Sequence, residues 1–380
     1  MLFDGHLDLA MNALGYERDL LLSVDALRAR ERDPEPTDGR NTCTTSLHEM
    51  RAAGVGVAVT TLLARAKPWV APGRVTRRAM GDWPTQGMAH AQARGQLAYY
   101  EWLEKQGHVR VLRTAADLTG HAAAWKAAPK EAKPPLGLIV TFECADPVTD
   151  PEELAWWHNL GVRTLMLTHF GQGHYAAGNP SDESGNEHDV DGPVTPRGRV
   201  LLAEMQRLGM PLDLTHLSDT SVRDALEHFG GRVYSSHSNC RAIAPRQRQL
   251  TDAVVRSIAE RDGVLGVVTY FGFIQRGGFK ACYPAGGGVP THQATLDHLA
   301  DHIDHICQVT GDRKHVALGS DLDGGYGAEE CPQGLNRHRD VLKLGALLRN
   351  RGFGDDEVQA FFGGNWLRFF GETLPGGGSS

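Results

Sequence analysis

Short apolar runs rich in β-branched residues recur along this chain, and stretches with helical periodicity alternate with them. Such alternation predicts a parallel sheet built from βα units. We predict eight strands, which fall at residues 2–9, 55–63, 136–142, 163–168, 211–214, 232–236, 264–270 and 316–319. Amphipathic stretches between them include residues 196–208, 218–228, 252–262 and 295–309. Eight such units predict an α/β protein with a closed (β/α)8 TIM barrel.

The main structural alternative is an open, doubly wound sheet, which shows the same alternation of strands and helices. No glycine-rich G-x-G-x-x-G turn follows the first predicted strand, and this favours the barrel. Neither an internal repeat nor a long linker divides the 380 residues. We therefore predict one catalytic domain over residues 1–370 and a flexible tail over 371–380. The polar stretch 171–192 and the glycine-rich stretch 272–290 are predicted to be long loops and candidate lids.

Ionisable side chains stand where the predicted strands end. Barrel enzymes carry their reactive groups at the carboxyl ends of the strands, so these residues are candidates for one shared site. The candidates are His6, Asp8, Glu143, His169, His216, His237 and Asp321. We expect all of them on the same rim of the barrel.

Five of these side chains are predicted to hold two divalent metal ions. His6 and Asp8 share one face of an extended strand, which gives one ion an imidazole and a carboxylate. His216 and His237 lie one βα unit apart, so they offer a second ion two nitrogen ligands. Glu143 would be costly as an isolated buried charge, but it can bridge two cations. The alternative is that separate hydrogen bonds satisfy each side chain at a polar barrel mouth.

A series of short motifs follows the predicted strand ends in order. The motifs are Asp4-Gly-His-Leu-Asp8, Phe142-Glu143, Leu167-Thr-His169, Asp213-Leu-Thr-His216 followed by Leu-Ser, Ser236-His-Ser-Asn239, Arg248-Gln-Leu-Thr-Asp252, Gly319-Ser-Asp-Leu-Asp-Gly324 and Gly363-Gly-Asn-Trp-Leu-Arg368. The series resembles the membrane (renal) dipeptidases of the amidohydrolase superfamily, and the likeness covers most of the chain. The resemblance implies a barrel enzyme that uses zinc to hydrolyse the peptide bond of dipeptides.

The resemblance implies the same metal ligands as the spacing does. His6 and Asp8 would bind one zinc ion, and His216 and His237 would bind the other. Glu143 would bridge the two ions. A pair of divalent ions that share one water lowers its pKa to about 7, so the expected nucleophile is a bridging hydroxide.

Four further residues receive roles from the resemblance. It implies that His169 polarises the scissile carbonyl and that Asp321 moves protons between the attacking water and the departing amine. Arg248 would bind the terminal carboxylate of the substrate, for which its planar fork is suited. Tyr270 would line the pocket. A C-terminal D-residue in the substrate and a homodimer are further possibilities that the family suggests.

Two other functions fit the same residues. A different amidohydrolase reaction, such as N-acyl amino acid deacylation or lactone opening, uses the same kind of metal pair. Arg248 and the match around His169 favour peptides. A metal-binding scaffold without catalysis is the second alternative, and the filled acid/base position at Asp321 counts against it.

A second group of histidines, His298, His302 and His305, falls on one face of a predicted helix. Three imidazoles at this spacing can bind a metal ion. The helix precedes the last strand, however, and in a barrel it lies outside, away from the catalytic rim. It also lacks the register of H-E-x-x-H. We therefore predict structural roles for these three residues.

Composition limits the expected partners and location. A net charge of −7 lacks the basic excess that nucleic acids and anionic membranes select for. No apolar run reaches the roughly 18 residues of a membrane span, and no signal-peptide pattern is seen. The six cysteines form no CxxC pair and are predicted to be reduced thiols. We expect a cytoplasmic protein with a small dipeptide substrate and neither a nucleic-acid nor a membrane partner.

Overall fold

The computed structural model describes residues 1–31, 39–69, 81–129, 132–180, 190–275, 282–284 and 289–376. Its strands within these ranges are β1 (Leu2–Leu7), β2 (Val55–Leu62), β3 (Arg65–Ala66), β4 (Asp82–Trp83), β5 (Val109–Val111), β6 (Leu136–Phe142), β7 (Val162–Met166), β8 (Leu212–Asp213), β9 (Val233–Tyr234), β10 (Leu265–Val267) and β11 (Val316–Leu318). Eight of these described strands, β1, β2 and β6 to β11, correspond to the eight predicted from the sequence.

These eight strands form a closed parallel barrel. Hydrogen-bonded pairs run in the order β1-β2-β6-β7-β8-β9, and β10 pairs with β11. A parallel bridge between Ser235 and Leu265 joins β9 to β10. The last seam is closed where the amide of Asp321 donates to the carbonyl of His6 over 3.2 Å. The predicted (β/α)8 barrel is therefore confirmed.

Alternation along each strand separates the inside of the barrel from the outside. In β2, Val57 and Val59 belong to the inner cluster, whereas Ala58 and Leu62 belong to the layer beneath the helices. This is the two-residue period of an extended strand. Because both faces are covered, every residue of β2 is buried.

The lower end of the barrel is sealed by the last helix of the chain. Phe370 stacks on Phe3 with ring centroids 5.6 Å apart, and the indole of Trp366 donates to the carbonyl of Leu318 over 2.8 Å. A Cβ atom at Gly5 would lie 2.5 Å from the Trp366 ring, so only glycine leaves room for this contact. The seal leaves the opposite rim, at the carboxyl ends of the strands, as the open end.

Helices follow the strands and mostly begin at a serine or threonine cap. The side chains of Thr195, Ser218, Thr251 and Thr295 each accept a hydrogen bond from a backbone amide in the first turn. The described helices are α1 (Leu9–Gly15), α2 (Val24–Arg30), α3 (Leu47–Ala53), α4 (Gln86–Lys105), α5 (Ala115–Ala127), α6 (Leu154–Asn159), α7 (Pro196–Arg207), α8 (Asp219–His228), α9 (Asp252–Glu260), α10 (Leu296–Thr310), α11 (Leu344–Asn350), α12 (Asp355–Gln359) and α13 (Asn365–Thr373). None of the helices in the described ranges combines the length and apolar character that crossing a membrane requires.

Several predicted strands extend too far at their carboxyl ends. The first was predicted to reach residue 9 and ends at Leu7, and the seventh was predicted to reach 270 and ends at Val267. At these ends polar side chains capture the backbone groups that a ladder would use. After β8, for example, the amide of Thr215 donates to the carboxylate of Asp213 over 3.0 Å. The chain therefore leaves the sheet early, at the level of the open rim.

The structure describes only part of the predicted lids and of the predicted tail. The part of the 171–192 stretch that precedes residue 181 is packed against the barrel, and Tyr175 is fully buried there and donates to the carbonyl of Val148. Residues 181–189 of this stretch, and 276–281 and 285–288 of the second one, lie outside the described residues. The predicted tail begins inside α13, whose end is held because Leu374 is buried.

Candidate metal centre

A carboxylate oxygen of Glu143 stands at the middle of the open rim. Its Oε1 atom lies within 4.0 Å of the Nε2 atoms of four imidazoles, at 3.5 Å from His6, 3.4 Å from His169, 3.8 Å from His216 and 4.0 Å from His237. Glu143 follows β6 directly, whereas the histidines come from four other strand ends. The structure thus brings together residues that are far apart in the chain.

Two further carboxylates surround the first of these imidazoles. The Nε2 atom of His6 lies 3.9 Å from Asp8 and 3.8 Å from Asp321, in addition to its contact with Glu143. All four side chains are buried. Every residue predicted as a metal ligand, together with Asp321 and His169, is therefore found in one cluster.

Three overlapping groups in this cluster have ligand atoms close enough to share an ion. They are His6, Asp8 and Glu143; Glu143, His169 and His216; and His6, His237 and Asp321. The first matches the predicted half-site. The second half-site is divided differently, because His237 falls with His6 while His169 joins His216. The Nε2 atoms of His216 and His237 are nevertheless only 3.1 Å apart.

The electrostatics of the cluster favour a bound cation. Burial lowers the pKa of His6, but attraction by Glu143, Asp8 and Asp321 outweighs burial and raises the pKa to about 10. Burial and the proximity of Glu143 hold the pKa of Asp8 well above its usual range. Burial also raises the pKa of Asp321 to about 7. Three carboxylates so close together require positive charge nearby.

The other imidazoles are tuned in the opposite direction. Burial and the nearby cations or imidazoles hold the pKa values of His216 and His237 well below the usual range of histidine. A neutral imidazole is the form that ligates metals. The backbone of His216 also has a φ of 68°, a left-handed conformation that is rare for residues other than glycine and is typically kept at functional sites.

Buried polar atoms without partners fit a metal at this position. Neither His6 Nε2 nor Glu143 Oε2 makes a hydrogen bond within the described parts of the chain, although both are fully buried. Leaving such atoms unsatisfied costs about 1–3 kcal/mol each. The donor set of imidazole nitrogens and carboxylate oxygens is the one that zinc and similar divalent ions accept. The residues therefore fit a divalent metal centre.

Hydroxyl groups behind the cluster orient its members. Thr61, which lies near the end of β2, donates to the carboxylate of Asp8. Ser236 places its Oγ atom 2.8 Å from Nδ1 of His237 and 3.3 Å from Nδ1 of His6. Sequence reasoning missed both residues. The alternation of β2 could have identified Thr61, because it lies one residue before the strand end, next to β1.

Arg248 lies beside the cluster, whereas Tyr270, which follows β10, lies behind Phe273. The guanidinium of Arg248 is buried, donates to the backbone carbonyl of His237 over 2.7 Å and lies 5.1 Å from the ring of Phe273. The ring of Tyr270 packs against Phe273 with centroids 4.8 Å apart. Arg248 contacts the cluster directly, with its Nη2 atom 3.4 Å from His216 Nε2. Tyr270 reaches the site through Phe273.

The second aspartate of the Asp-Leu-Asp motif is bound to backbone amides of a neighbouring segment. Asp323 accepts hydrogen bonds from the amide of Thr44 over 2.7 Å and from the amide of Thr45 over 3.0 Å. Asp321 points instead into the cluster, where a Cβ atom at Gly324 would lie 2.0 Å from its carboxylate. Gly324 is thus required to leave space for the Asp321 side chain.

The histidines of α10 are held separately. His302 is buried and accepts from the amide of Cys240 over 3.1 Å, His305 contacts Asp252 over 2.8 Å, and His298 caps the start of its own helix. Their different partners agree with the predicted structural roles.

Sequence reasoning missed one more polar residue at the rim. Arg65 lies three residues beyond the end of β2, and its Nη1 atom is 2.7 Å from Nδ1 of His169. The rule that reactive groups follow strand ends could have identified Arg65, since no ionisable residue was considered after the second predicted strand.

A parallel barrel whose open rim carries buried imidazoles and carboxylates around a shared glutamate defines the class of metal-dependent barrel hydrolases. The sequence model of one family, described as membrane dipeptidase (peptidase family M19), matches residues 1–374. The chain belongs to this family.

Named relatives agree with the family. The chain is 32% identical over 223 residues to the dipeptidase aclJ of Aspergillus oryzae. The alignment covers 58% of this chain and 47% of that protein. It is 30% identical over 220 residues to dipeptidase 3 of Rattus norvegicus, covering 56% of this chain and 40% of that protein. The aligned part thus spans about half the length of these curated relatives.

Solved structures share the fold over nearly the whole chain. The crystal structure of the dipeptidase AC, a metallo peptidase of family M19, has a TM-score of 0.73 at 22% identity and covers 98% of both chains. A metallo peptidase from Rhodobacter sphaeroides, liganded with a phosphinate mimic of the dipeptide L-Ala-D-Ala, has a TM-score of 0.72 at 22% identity and covers 98% of this chain and 99% of that one. At this level of identity the likeness concerns the fold.

Proposed function

We propose that this protein is a zinc-dependent dipeptidase. The observation that carries the proposal is the position of Glu143, whose Oε1 atom lies within 4.0 Å of four imidazole nitrogens. A carboxylate in that position suits a bridge between two ions. Membership of the membrane dipeptidase family supports the reaction, and the names of the aligned relatives support the substrate class.

The metal ligands in this proposal are five residues. They are His6, Asp8, Glu143, His216 and His237. A pair of zinc ions held by them would supply a water molecule that ionises near neutral pH. The positions of Thr61 and Ser236 support this assignment, because outer partners of this kind fix the orientation of ligating side chains.

Asp321 is proposed to take a proton from the attacking water and to return it to the departing amine. Its carboxylate lies 3.8 Å from Nε2 of the proposed metal ligand His6, so it is within reach of a water molecule held at the centre. Proton return matters because an amide nitrogen leaves poorly as an anion.

His169 is proposed to donate a hydrogen bond to the carbonyl oxygen of the scissile bond. Its Nε2 atom lies 3.4 Å from Oε1 of Glu143, and burial with the nearby Arg65 lowers its pKa to about 4, so the ring stays neutral. Stabilisation of the developing negative charge by a single donor is typically worth about 3–4 kcal/mol.

Arg248 is proposed to bind the C-terminal carboxylate of the substrate. Its guanidinium lies beside His216 and is held in place by the carbonyl of His237. A fixed guanidinium selects substrates that end one residue after the cleaved bond. The phosphinate ligand of the Rhodobacter sphaeroides structure mimics L-Ala-D-Ala, which supports tests of a C-terminal D-residue here.

A substrate panel tests the proposal. The zinc-loaded protein should hydrolyse L,L- and L,D-dipeptides faster than N-acyl amino acids or lactones. Turnover of lactones or N-acyl amino acids without turnover of dipeptides would replace the proposed reaction with another one of the same metal chemistry. No turnover of any of these substrates by fully loaded protein would contradict catalysis.

A further inference from the structure

Arg65 occupies a fixed position between two partners. Its Nε atom donates to Asp82 over 2.7 Å, and its Nη1 atom lies 2.7 Å from Nδ1 of His169. The backbone holds this arrangement as well, because Arg65 and Asp82 are directly paired residues of the short strands β3 and β4. The side chain of Arg65 is 11% exposed, so water competes little for these contacts.

The chemistry of the guanidinium determines which nitrogen of His169 carries hydrogen. Arginine has only donors, so Nδ1 of His169 must be the acceptor in this contact. A neutral imidazole has one N–H, which therefore lies on Nε2. That atom faces the centre of the cluster, 3.4 Å from Oε1 of Glu143.

We infer that Arg65 is a positioning residue that keeps His169 as an Nε2–H donor and thereby reserves it for the substrate carbonyl instead of a metal ion. The inference rests on the proposed dipeptidase function. It also resolves an ambiguity of the geometry, since His169 lies close enough to Glu143 and His216 to share an ion with them.

The opposite assignment fails on the same contact. If Nε2 of His169 ligated a metal, its lone pair would point to the ion and the hydrogen would lie on Nδ1. That N–H would then face an N–H of Arg65 at 2.7 Å, which places two donors against each other. Asp82 prevents Arg65 from turning away, because it binds the Nε atom on the other side.

The tautomer can be measured directly in zinc-loaded protein labelled with ¹⁵N-histidine. Long-range ¹H–¹⁵N spectra distinguish an Nε2–H from an Nδ1–H ring, and the spectrum of His169→Gln identifies the resonances of His169. We expect the Nε2–H form in the wild type and a mixture of forms or ring protonation in Arg65→Met. An Nδ1–H ring in the wild type would overturn the inference, even if dipeptide hydrolysis is found.

Kinetics and metal content provide the second readout. Arg65→Met should lower kcat for dipeptides by about 10–100-fold with little change in KM. Loss of a residue that orients an active-site imidazole typically lowers activity by that much. Its zinc content should equal that of the wild type. Arg65→Lys should recover part of the loss, since it restores one donor. Loss of zinc together with kcat would show that His169 organises the metal and would overturn the inference.

A matched control removes another ion-paired arginine. Arg113 contacts Glu104 over 2.9 Å, away from the rim, and Arg113→Met should leave kcat and the His169 spectrum unchanged. The two proposals can fail separately. Absence of dipeptide turnover in the wild type would contradict the proposed function, whereas the spectrum of the wild type tests the tautomer regardless of the substrate.

Discussion

His216 and His237 point their Nε2 atoms at each other across 3.1 Å, although burial holds both rings in the neutral form. Two neutral rings in this arrangement either share one N–H between them or direct both lone pairs at a cation. If neither a cation nor a shared hydrogen lies between the two Nε2 atoms, their lone pairs repel each other. The short contact therefore fits two imidazoles that direct their Nε2 lone pairs at the same metal ion.

Metal content should respond to the loss of either ring. The wild type is expected to bind about two zinc ions per chain, and His216→Ala should bind one or fewer. Inductively coupled plasma mass spectrometry of dialysed protein measures the number of zinc ions per chain. His305→Ala serves as the control, because His305 lies on α10, contacts Asp252 of α9 and should keep the wild-type content. Unchanged zinc in His216→Ala would remove His216 from the ligand set.

The two aspartates of the Asp-Leu-Asp motif should separate catalysis from stability. Asp321→Asn is expected to lower kcat by about 10²–10⁴-fold while zinc content is preserved, because the side chain no longer transfers protons. Asp323→Asn should instead lower the free energy of unfolding by about 1–3 kcal/mol, since one acceptor for Thr44 or Thr45 is lost in a buried site. Steady-state kinetics and urea titrations check the pair. The reverse pattern would contradict both roles.

Arg248 should determine the requirement for a free carboxylate. Charge-assisted hydrogen bonds are worth about 1.5–3 kcal/mol, so Arg248→Met is expected to raise KM for dipeptides by about tenfold to a hundredfold. Dipeptide amides, which lack the carboxylate, should be poor substrates of the wild type and should lose nothing further in the variant. Equal wild-type rates on dipeptides and their amides would argue against this assignment.

Removal of metal should make stability decrease as the pH rises above neutrality. In the metal-free protein, burial lowers the pKa of His6, but attraction by Glu143 outweighs it and raises the pKa from 6.5 to about 10. A group whose pKa is raised on folding stabilises the folded state most below its unfolded pKa, and the gain disappears as the pH approaches the folded value.

The melting temperature of chelated protein is therefore expected to fall between about pH 7 and pH 9. Zinc-loaded protein should change less over the same range, because an imidazole that ligates through Nε2 has no proton there to lose. Differential scanning fluorimetry with and without chelator provides the comparison. Parallel curves for the two forms would show that His6 does not carry this charge.

The seal at the lower end of the barrel allows a stability prediction. Gly5→Ala places a methyl group 2.5 Å from the Trp366 ring and should cost about 1–3 kcal/mol through overpacking. Gly371→Ala is the control. Gly371 lies in α13, the helix that carries Trp366, and a Cβ atom there would meet nothing within 4 Å. It should be neutral or slightly stabilising. Urea unfolding curves of both variants measure the difference, and equal stability would refute the contact.

The parts of the structure that could be predicted from the sequence are those that obey a simple period or an end rule. β6 was predicted at its observed bounds, because its seven residues are all buried and apolar or small. The cluster around Glu143 was predicted because every member lies at the carboxyl end of a strand or just beyond it. The strand ends themselves were less predictable, since side chains such as Asp213 compete with the sheet for backbone hydrogen bonds.

The residues that were missed act through other residues. Ser236 and Thr61 are short hydroxyl side chains in buried strands, where the same residue types are common without any role. Arg65 lies in a two-residue strand whose partner, Asp82, is seventeen positions away in the chain and separated from it by an undescribed segment. A local pattern does not reveal such a pairing, and only the folded chain brings it next to His169.

The hydrogen bond from Asp321 to His6 joins residues near opposite ends of the chain. During synthesis, the first imidazole and the carboxylate of Asp8 emerge long before the segment that completes their surroundings. Until β11 packs against β1, the rim of the barrel around His6 and Asp8 is incomplete. Binding of a metal ion at this geometry would therefore have to follow synthesis of β11, and a product truncated before that strand would lack the last seam of the barrel.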